Sequence, residues 1–197
     1  MSNKLPKGYI SWSQMNLWET SPQKYIDTYI YGKEYFETKE MRFGKWLAVK
    51  IETGQRVEPK VDHLLQMVYK RHYKENEINI DFEGIQLKAG FDSIDKYGFD
   101  EYKTGKVPWN AERASKHGQM DFYALCFKLE MGYMPDMALH WLPTVGEGKD
   151  YIQLVGEIHT FIVEKTEEQM FAFGERIKKA VDEISNYKKF EKNIITI

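Results

Sequence analysis

Apolar and polar residues alternate along this chain with a period that changes several times, and each change marks an element. Ser11-Trp12-Ser13-Gln14 has the form of a capping box, so a short helix is expected from there to about Glu19. A second helix is expected near Ser21-Pro22, with Trp12, Trp18, Tyr25 and Tyr29 as the shared core. In Met41 to Thr53 the residues Phe43, Leu47 and Ile51 recur at the spacing of one helix face. Val61 to Tyr73 reads as another helix through Leu64, Leu65, Val68 and Tyr69, ending in a basic Lys70-Arg71-His72 that suits a helix C-terminus and reads as a solvated tail or a phosphate contact.

The period then shortens to two. Ile78 to Phe82 and Ile85 to Ala89 alternate around Glu83-Gly84, and Phe91 to Asp95 and Phe99 to Lys103 flank Lys96-Tyr97-Gly98, where the glycine permits positive φ. These segments predict two hairpins that form a three-stranded antiparallel meander at the heart of the sheet. Helical spacing returns after Asn110, a capping residue, for a helix whose core is Ala114 to Met131, with Phe122, Leu125, Cys126 and Leu129 toward the sheet. Asp136 to Leu142 and Tyr151 to Val163 read as strands about a Glu147-Gly148-Lys149 turn. Lys165 to Tyr187 reads as a long helix capped by Thr166, with Phe171, Phe173, Ile177, Ala180, Val181 and Ile184 apolar.

The 197 residues suit one domain, with a helical N-terminal segment (11–73), a central sheet and helix (77–131) and C-terminal strands and helix (136–187). A net charge of −2 gives no global attraction to nucleic acid, so a surface that binds it must be a local basic patch. The single cysteine, Cys126, excludes an intramolecular disulfide and leaves no cysteine pair for zinc. Without a long apolar run or a signal-peptide pattern, a soluble cytoplasmic protein is expected.

Candidate chemistry centres on the second hairpin. With Lys96-Tyr97 as a two-residue loop, Asp95 faces Gly98 and Asp92 falls opposite Glu101. Lys103 shares a face with Glu101, so two carboxylates and one ammonium converge. A bulge at Gly98 would shift this register by one. Paired carboxylates repel unless a cation lies between them, and a hard divalent ion takes oxygen ligands. A surface hairpin with a solvated Glu-Lys pair is the other reading of the same residues.

Asp92 followed by Glu101-Tyr102-Lys103-Thr104-Gly105 resembles the Asp…(Asp/Glu)-x-Lys signature of the PD-(D/E)XK nuclease superfamily, in particular its RecB-like, phage-exonuclease-like branch. Three further segments follow that family's order. Ile10 to Gly32 is similar to the branch's opening, in which a cysteine that serves an iron–sulfur cluster is here Ser21, so no iron–sulfur cluster is expected. Gly44 and Glu52 match its first motif, whose histidine is here Ala48. Gln119 and Tyr123 match its Gln-x-x-x-Tyr helix.

The resemblance implies an α/β, restriction-endonuclease-like fold with a central mixed sheet flanked by helices. The implied activity is hydrolysis of DNA phosphodiester bonds by an exonuclease or recombination nuclease of a bacterium or phage-infected cell. Asp92, Glu101 and Lys103 would be catalytic, with Asp92, Glu101 and Glu52 holding Mg²⁺ or Mn²⁺. Gln119 and Tyr123 would handle DNA, with Arg113 and Lys116 as a phosphate-contacting edge alongside His117. Implied partners are DNA and either further copies of the chain or a recombination protein, and no membrane. The alternative is a DNA- or protein-binding module on the same fold that retains a remnant site.

Overall fold

The computed structural model describes residues 5–34, 36–53, 71, 76–147 and 151–194. In chain order the elements are β1 (Ile10–Ser11), α1 (Trp12–Thr20), α2 (Pro22–Tyr25) running into a π-helical turn (Ile26–Ile30), and α3 (Lys39–Thr53). Strands β2 (Glu77–Phe82), β3 (Ile85–Gly90), β4 (Ser93–Ile94) and β5 (Gly98–Gly105) follow, then helices α4 (Ala111–Ser115) and α5 (Gly118–Met131). Strands β6 (Asp136–Glu147), β7 (Tyr151–Leu154) and β8 (His159–Val163) precede the final helix α6 (Glu167–Ile194).

The first hairpin forms as the sequence predicts. Phe82 pairs with Ile85, and Glu83 and Gly84 both take positive φ, 51° and 82°, the geometry that lets a two-residue loop match strand twist. The meander does not form. Strand β3 pairs with β1 in parallel, giving a sheet ordered β1-β3-β2, while β4 and β5 belong to a second sheet ordered β4-β5-β6-β7, with β8 also on β6. Leu87 and Ala89 of β3 are buried in the core that β1 and α1 close over, so this edge is taken before β4 can reach it.

Strand β5 is the axis of the second sheet, antiparallel to β4 and parallel to β6 over its full length. Gly98 has no positive φ, contrary to the sequence expectation. A Cβ there would stand 1.8 Å from the Asp136 carbonyl oxygen, so this glycine permits β6 to start directly beside β5. Strand β6 continues through Pro143 to Glu147 and is longer than expected. The apolar run from Tyr151 to Val163 is two strands, because the chain turns through Gly156 at φ 71° between them.

Helix α5 covers one face of these strands. Phe122, Tyr123, Leu125, Cys126 and Phe127 are buried, with Phe99 of β5 packed against Tyr123 and Phe127. Fully burying a side chain such as Phe99 is worth roughly 1.5–3 kcal/mol. Leu129 lies off this face and is exposed. Helix α6 closes the layer with Met170, Phe173, Ile177, Ala180, Val181 and Ile184, whereas Phe171, one position off that face, is exposed. Its N-terminus is a reciprocal capping box: Gln169 N donates to Thr166 Oγ1 at 3.2 Å and Thr166 N to Gln169 Oε1 at 2.9 Å. On the opposite face of β5, Leu47 and Ile51 of α3 pack with Leu142, Phe43 and Tyr102.

Two further expectations change in detail. Ser11 caps α1 by accepting from Gln14 N at 3.4 Å, but the Gln14 side-chain oxygen is buried without a partner, so the box is half made. The helix expected across Ala114 to Met131 is interrupted at Lys116-His117. His117 is extended (ψ 113°) and Gly118 lies so close to Trp12 that a Cβ would reach its ring at 2.6 Å. Asn110 caps the first piece, accepting from Arg113 N at 2.8 Å. The helix expected over Val61 to Tyr73 and the turn at Gly148-Lys149 lie outside the described residues, Arg71 excepted.

Candidate functional site

The β4–β5 register decides whether the acidic pair meets. Ser93 pairs with Asp100 and Ile94 with Phe99, and Asp95 N donates to Gly98 O at 2.9 Å, so Asp92 lies opposite Glu101 with no bulge. The loop closes without positive φ. Asp95 Oδ1 accepts from Tyr97 N at 2.8 Å and Gly98 N at 2.9 Å, a side-chain turn that fixes the register locally. Asp92 Oδ2 reaches across the hairpin to accept from Tyr102 N at 2.7 Å.

Alternation along β5 sends Phe99, Glu101 and Lys103 toward α5. Glu101 is 3% exposed. Its Oε1 accepts from Lys103 Nζ at 2.7 Å, and the same ammonium donates to Gln119 Oε1 at 2.6 Å from the first turn of α5. One turn on, Tyr123 is buried against Phe91, with ring centroids 4.7 Å apart, and against Phe99. Burial first, and then the Asp92 charge, push the Glu101 carboxyl up to about 8 against the pull of Lys103. Burial also raises Asp92, opposed by its bond from Tyr102 and by the Lys103 charge. Burial holds the Tyr123 hydroxyl well above its ordinary value, so it is a neutral donor.

This donor set can be tested against a cation without invoking one. Glu101 Oε2 is buried and has no hydrogen-bond partner, an expensive state for a carboxylate oxygen. A second carboxylate lies across the hairpin. The pair fits a hard divalent ion that keeps much of its water, as Mg²⁺ does. Among the described residues no group of three or more His, Cys, Asp or Glu side chains gathers to hold a metal. Glu52 lies in the last turn of α3, which packs on β5, and its side chain is outside the described part. Ala48, at the histidine position of the motif, is half-buried on the same helix.

Arg113 faces the loop after β5, but its guanidinium is occupied: it donates to Pro108 O at 3.0 Å and Val107 O at 3.3 Å and lies 4.1 Å from the Trp109 ring centroid. Lys116 is exposed and paired with Glu112 at 2.6 Å. His117 is enclosed by Trp109 and Trp12, with centroids at 5.1 and 5.8 Å, and burial brings its pKa down to about 4. It is a neutral packing residue, so the basic edge expected there lacks one of its three members.

Behind the hairpin lies a charged cluster that sequence reasoning missed. Arg71 Nε donates to Asp100 Oδ2 at 3.1 Å, its NH1 group donates to Asp95 Oδ1 at 3.2 Å, and its backbone N donates to Ser93 Oγ at 2.7 Å. Arg71 is therefore no solvated tail. His140 stacks on Tyr102, with Nε2 3.7 Å from Asp100 Oδ1 and Nδ1 bonded to Thr160 Oγ1. The signal was present in part, since period two places Asp100 on the face opposite Glu101, where a buried acid needs its own partner. The partners lie 29 and 40 positions away and share no motif with it.

No protein-family model and no curated protein matches this chain. Among solved structures it is similar to the crystal structure of a putative exonuclease from Eubacterium rectale. The TM-score is 0.55 over 90% of this chain and 81% of the other, at 11% identity. The two share a fold. Two mixed sheets flanked by helices, in this arrangement, form the α/β, restriction-endonuclease-like architecture expected from the sequence. Identity this low carries the fold alone, so the roles of Asp92, Glu101, Lys103, Gln119 and Tyr123 rest on their own geometry.

Proposed function

We propose that this chain is a divalent-metal-dependent nuclease that hydrolyses DNA phosphodiester bonds. The observation that carries the reading is the convergence of Asp92, Lys103 and Gln119 on the buried Glu101 carboxyl, with one Glu101 oxygen left without a partner. An ordinary surface Glu-Lys pair would be solvated and cheap. Here a strand, a hairpin and a helix are all arranged to take the group out of water.

Asp92 and Glu101 would hold Mg²⁺ or Mn²⁺, which when bound polarises a phosphoryl oxygen and lowers the pKa of a water. The protein's own residues supply the rest. The Lys103 ammonium, pinned by two acceptor oxygens, presents a fixed positive charge to a phosphodiester and can orient the attacking water. Gln119 sets the direction of that ammonium. The Tyr123 hydroxyl, neutral at any working pH, is a donor for the strand rather than a base. The neighbour that shares the fold is described as a putative exonuclease, and an end-directed activity is the form of the reaction proposed for this chain.

A second reading, a DNA-holding relative without turnover, is favoured by one observation: among the described residues no group of three or more His, Cys, Asp or Glu side chains gathers to hold a metal. Purified protein incubated with linear and with circular DNA, with and without Mn²⁺, separates the cases. Metal-dependent loss of the linear substrate alone supports the exonuclease reading, and discrete fragments from the circle would indicate internal cutting. Retention of DNA without cleavage would establish the second reading.

A further inference from the structure

Strand β4 is two residues long and forms the rim of its sheet, joined to β5 by the pairs Ser93–Asp100 and Ile94–Phe99. So short a pairing is a weak tether. Asp92 directly precedes Ser93 and Glu101 directly follows Asp100, so the span between the two carboxylates is set by how firmly β4 lies against β5. Repulsion works to widen it: burial first, and then the Asp92 charge, raise the Glu101 carboxyl. The hairpin therefore needs a brace from outside the pair.

Arg71 supplies one from the rear. Its backbone N donates to Ser93 Oγ at 2.7 Å, and Ser93 Oγ donates back to Arg71 O at 3.3 Å. Its Nε donates to Asp100 Oδ2 at 3.1 Å. One residue thus grips both members of the facing pair Ser93–Asp100, and each member is the chain neighbour of one carboxylate. A third bond, from NH1 to Asp95 Oδ1 at 3.2 Å, reaches the oxygen that also accepts from Tyr97 N and Gly98 N and so closes the turn. Both side chains of the Arg71–Asp100 pair are largely buried, so salt screens it little.

We infer that Arg71 is the positioning residue of the metal site: its grip on Ser93 and Asp100 sets the Asp92–Glu101 span and thereby which divalent ion the pair accepts. The inference rests on the metal site of the nuclease reading and deepens it. Mg²⁺ demands near-ideal octahedral geometry with oxygens at about 2.0–2.1 Å, whereas Ca²⁺ takes oxygens at about 2.3–2.6 Å in flexible arrangements. A braced pair suits the smaller ion and a slack pair the larger. An arginine fits the task because its planar fork reaches Asp95 and Asp100 at once, where a lysine ammonium is a single point. Alternation puts Asp100 on the strand face opposite Glu101, so Arg71 acts on a bound ion through the hairpin rather than by contact. Loss of its charge alone would shift every divalent ion alike. Only a change of span alters their ratio.

The test is calorimetric titration of Mg²⁺ and of Ca²⁺ into metal-free wild type, Arg71→Lys, Ser93→Ala and Val181→Ala. Ser93→Ala keeps every charge and removes only the hydroxyl, so it reads the inference even where Arg71→Lys does not fold. Val181, fully buried in α6, is the control for stability lost elsewhere in the core. Wild type and Val181→Ala should prefer Mg²⁺ to the same degree. In Ser93→Ala and Arg71→Lys, Mg²⁺ affinity should fall about tenfold or more, the effect of a residue that orients metal ligands, while Ca²⁺ affinity holds. An equal loss of both ions in Ser93→Ala, one ratio in all four proteins, a ratio shifted as far in Val181→Ala, or a wild type that prefers Ca²⁺ or takes up neither ion overturns the inference. The two readings fail separately. A wild type that never cleaves DNA, but whose ion ratio depends on Ser93 and Arg71, keeps the brace and removes the nuclease. Metal-dependent cleavage with the ratio unmoved keeps the nuclease and removes the brace.

Discussion

At Glu101 burial and the facing Asp92 charge work in one direction, and the raised carboxyl pKa has a definite consequence for pH. Its value in the fold, about 8, lies above its ordinary 4.5, so the metal-free fold binds this proton more tightly than the unfolded chain does. The stability from this group is complete below about pH 4.5 and is lost as pH rises through about 8. Glu101→Gln, which carries no charge at any pH, should therefore gain in Tm relative to wild type as pH rises across that window in EDTA. A constant difference would mean that Glu101 is ionised throughout. A cation at the pair must displace the same proton, so Mn²⁺ affinity should rise with pH and level off above about 8, with proton release seen in buffers of different ionisation enthalpy. Lys103→Ala should lower cleavage by about 10²-fold or more while Mn²⁺ still binds, because the charge acts on the phosphate. Unchanged turnover would assign Lys103 to structure alone.

Among the elements, the β4–β5 hairpin shows what the sequence revealed and what it did not. Loop length and alternation were enough to place Asp92 opposite Glu101 and Lys103 beside it, since both follow from local geometry. The reason for Gly98 was not legible, because the atom it makes room for is the Asp136 carbonyl, on a strand that the sequence places 38 residues later. Gly98→Ala should destabilise by roughly 3 kcal/mol, the upper end for overpacking, since the obstacle is backbone rather than a yielding side chain. Urea unfolding measures this, and a loss under about 0.5 kcal/mol, the range of an ordinary surface change, would show that β5 and β6 can separate there. Arg71 is similar. Its charge pattern suggested an exposed helix end, yet it clamps Asp95 and Asp100, and Asp100 is 2% exposed. Arg71→Met removes the cation from that buried acid, leaving only His140 beside it, and should cost about 3–5 kcal/mol in the same urea unfolding.

For the whole molecule, the succession of helices and strands was readable from the order of periods and the fold class from the family resemblance, while sheet membership was readable from neither. Both hairpins were identified, but whether β3 pairs onward with β4 or with β1 depends on a two-residue strand, Ile10–Ser11, too short to carry a pattern. That parallel pairing brings the start of α1 beside β3. Helix α5 then joins the two halves: its buried face packs on β2, β3 and α6, and its first turn holds Lys103. The most direct test of the central claim is calorimetric titration of Mn²⁺ into wild type and into an Asp92→Asn, Glu101→Gln double variant, followed by DNA cleavage on the same samples. The account predicts that wild type binds and cleaves and that the variant, still folded, does neither. A wild type that takes up no Mn²⁺, or a variant that cleaves as well as wild type, would contradict it.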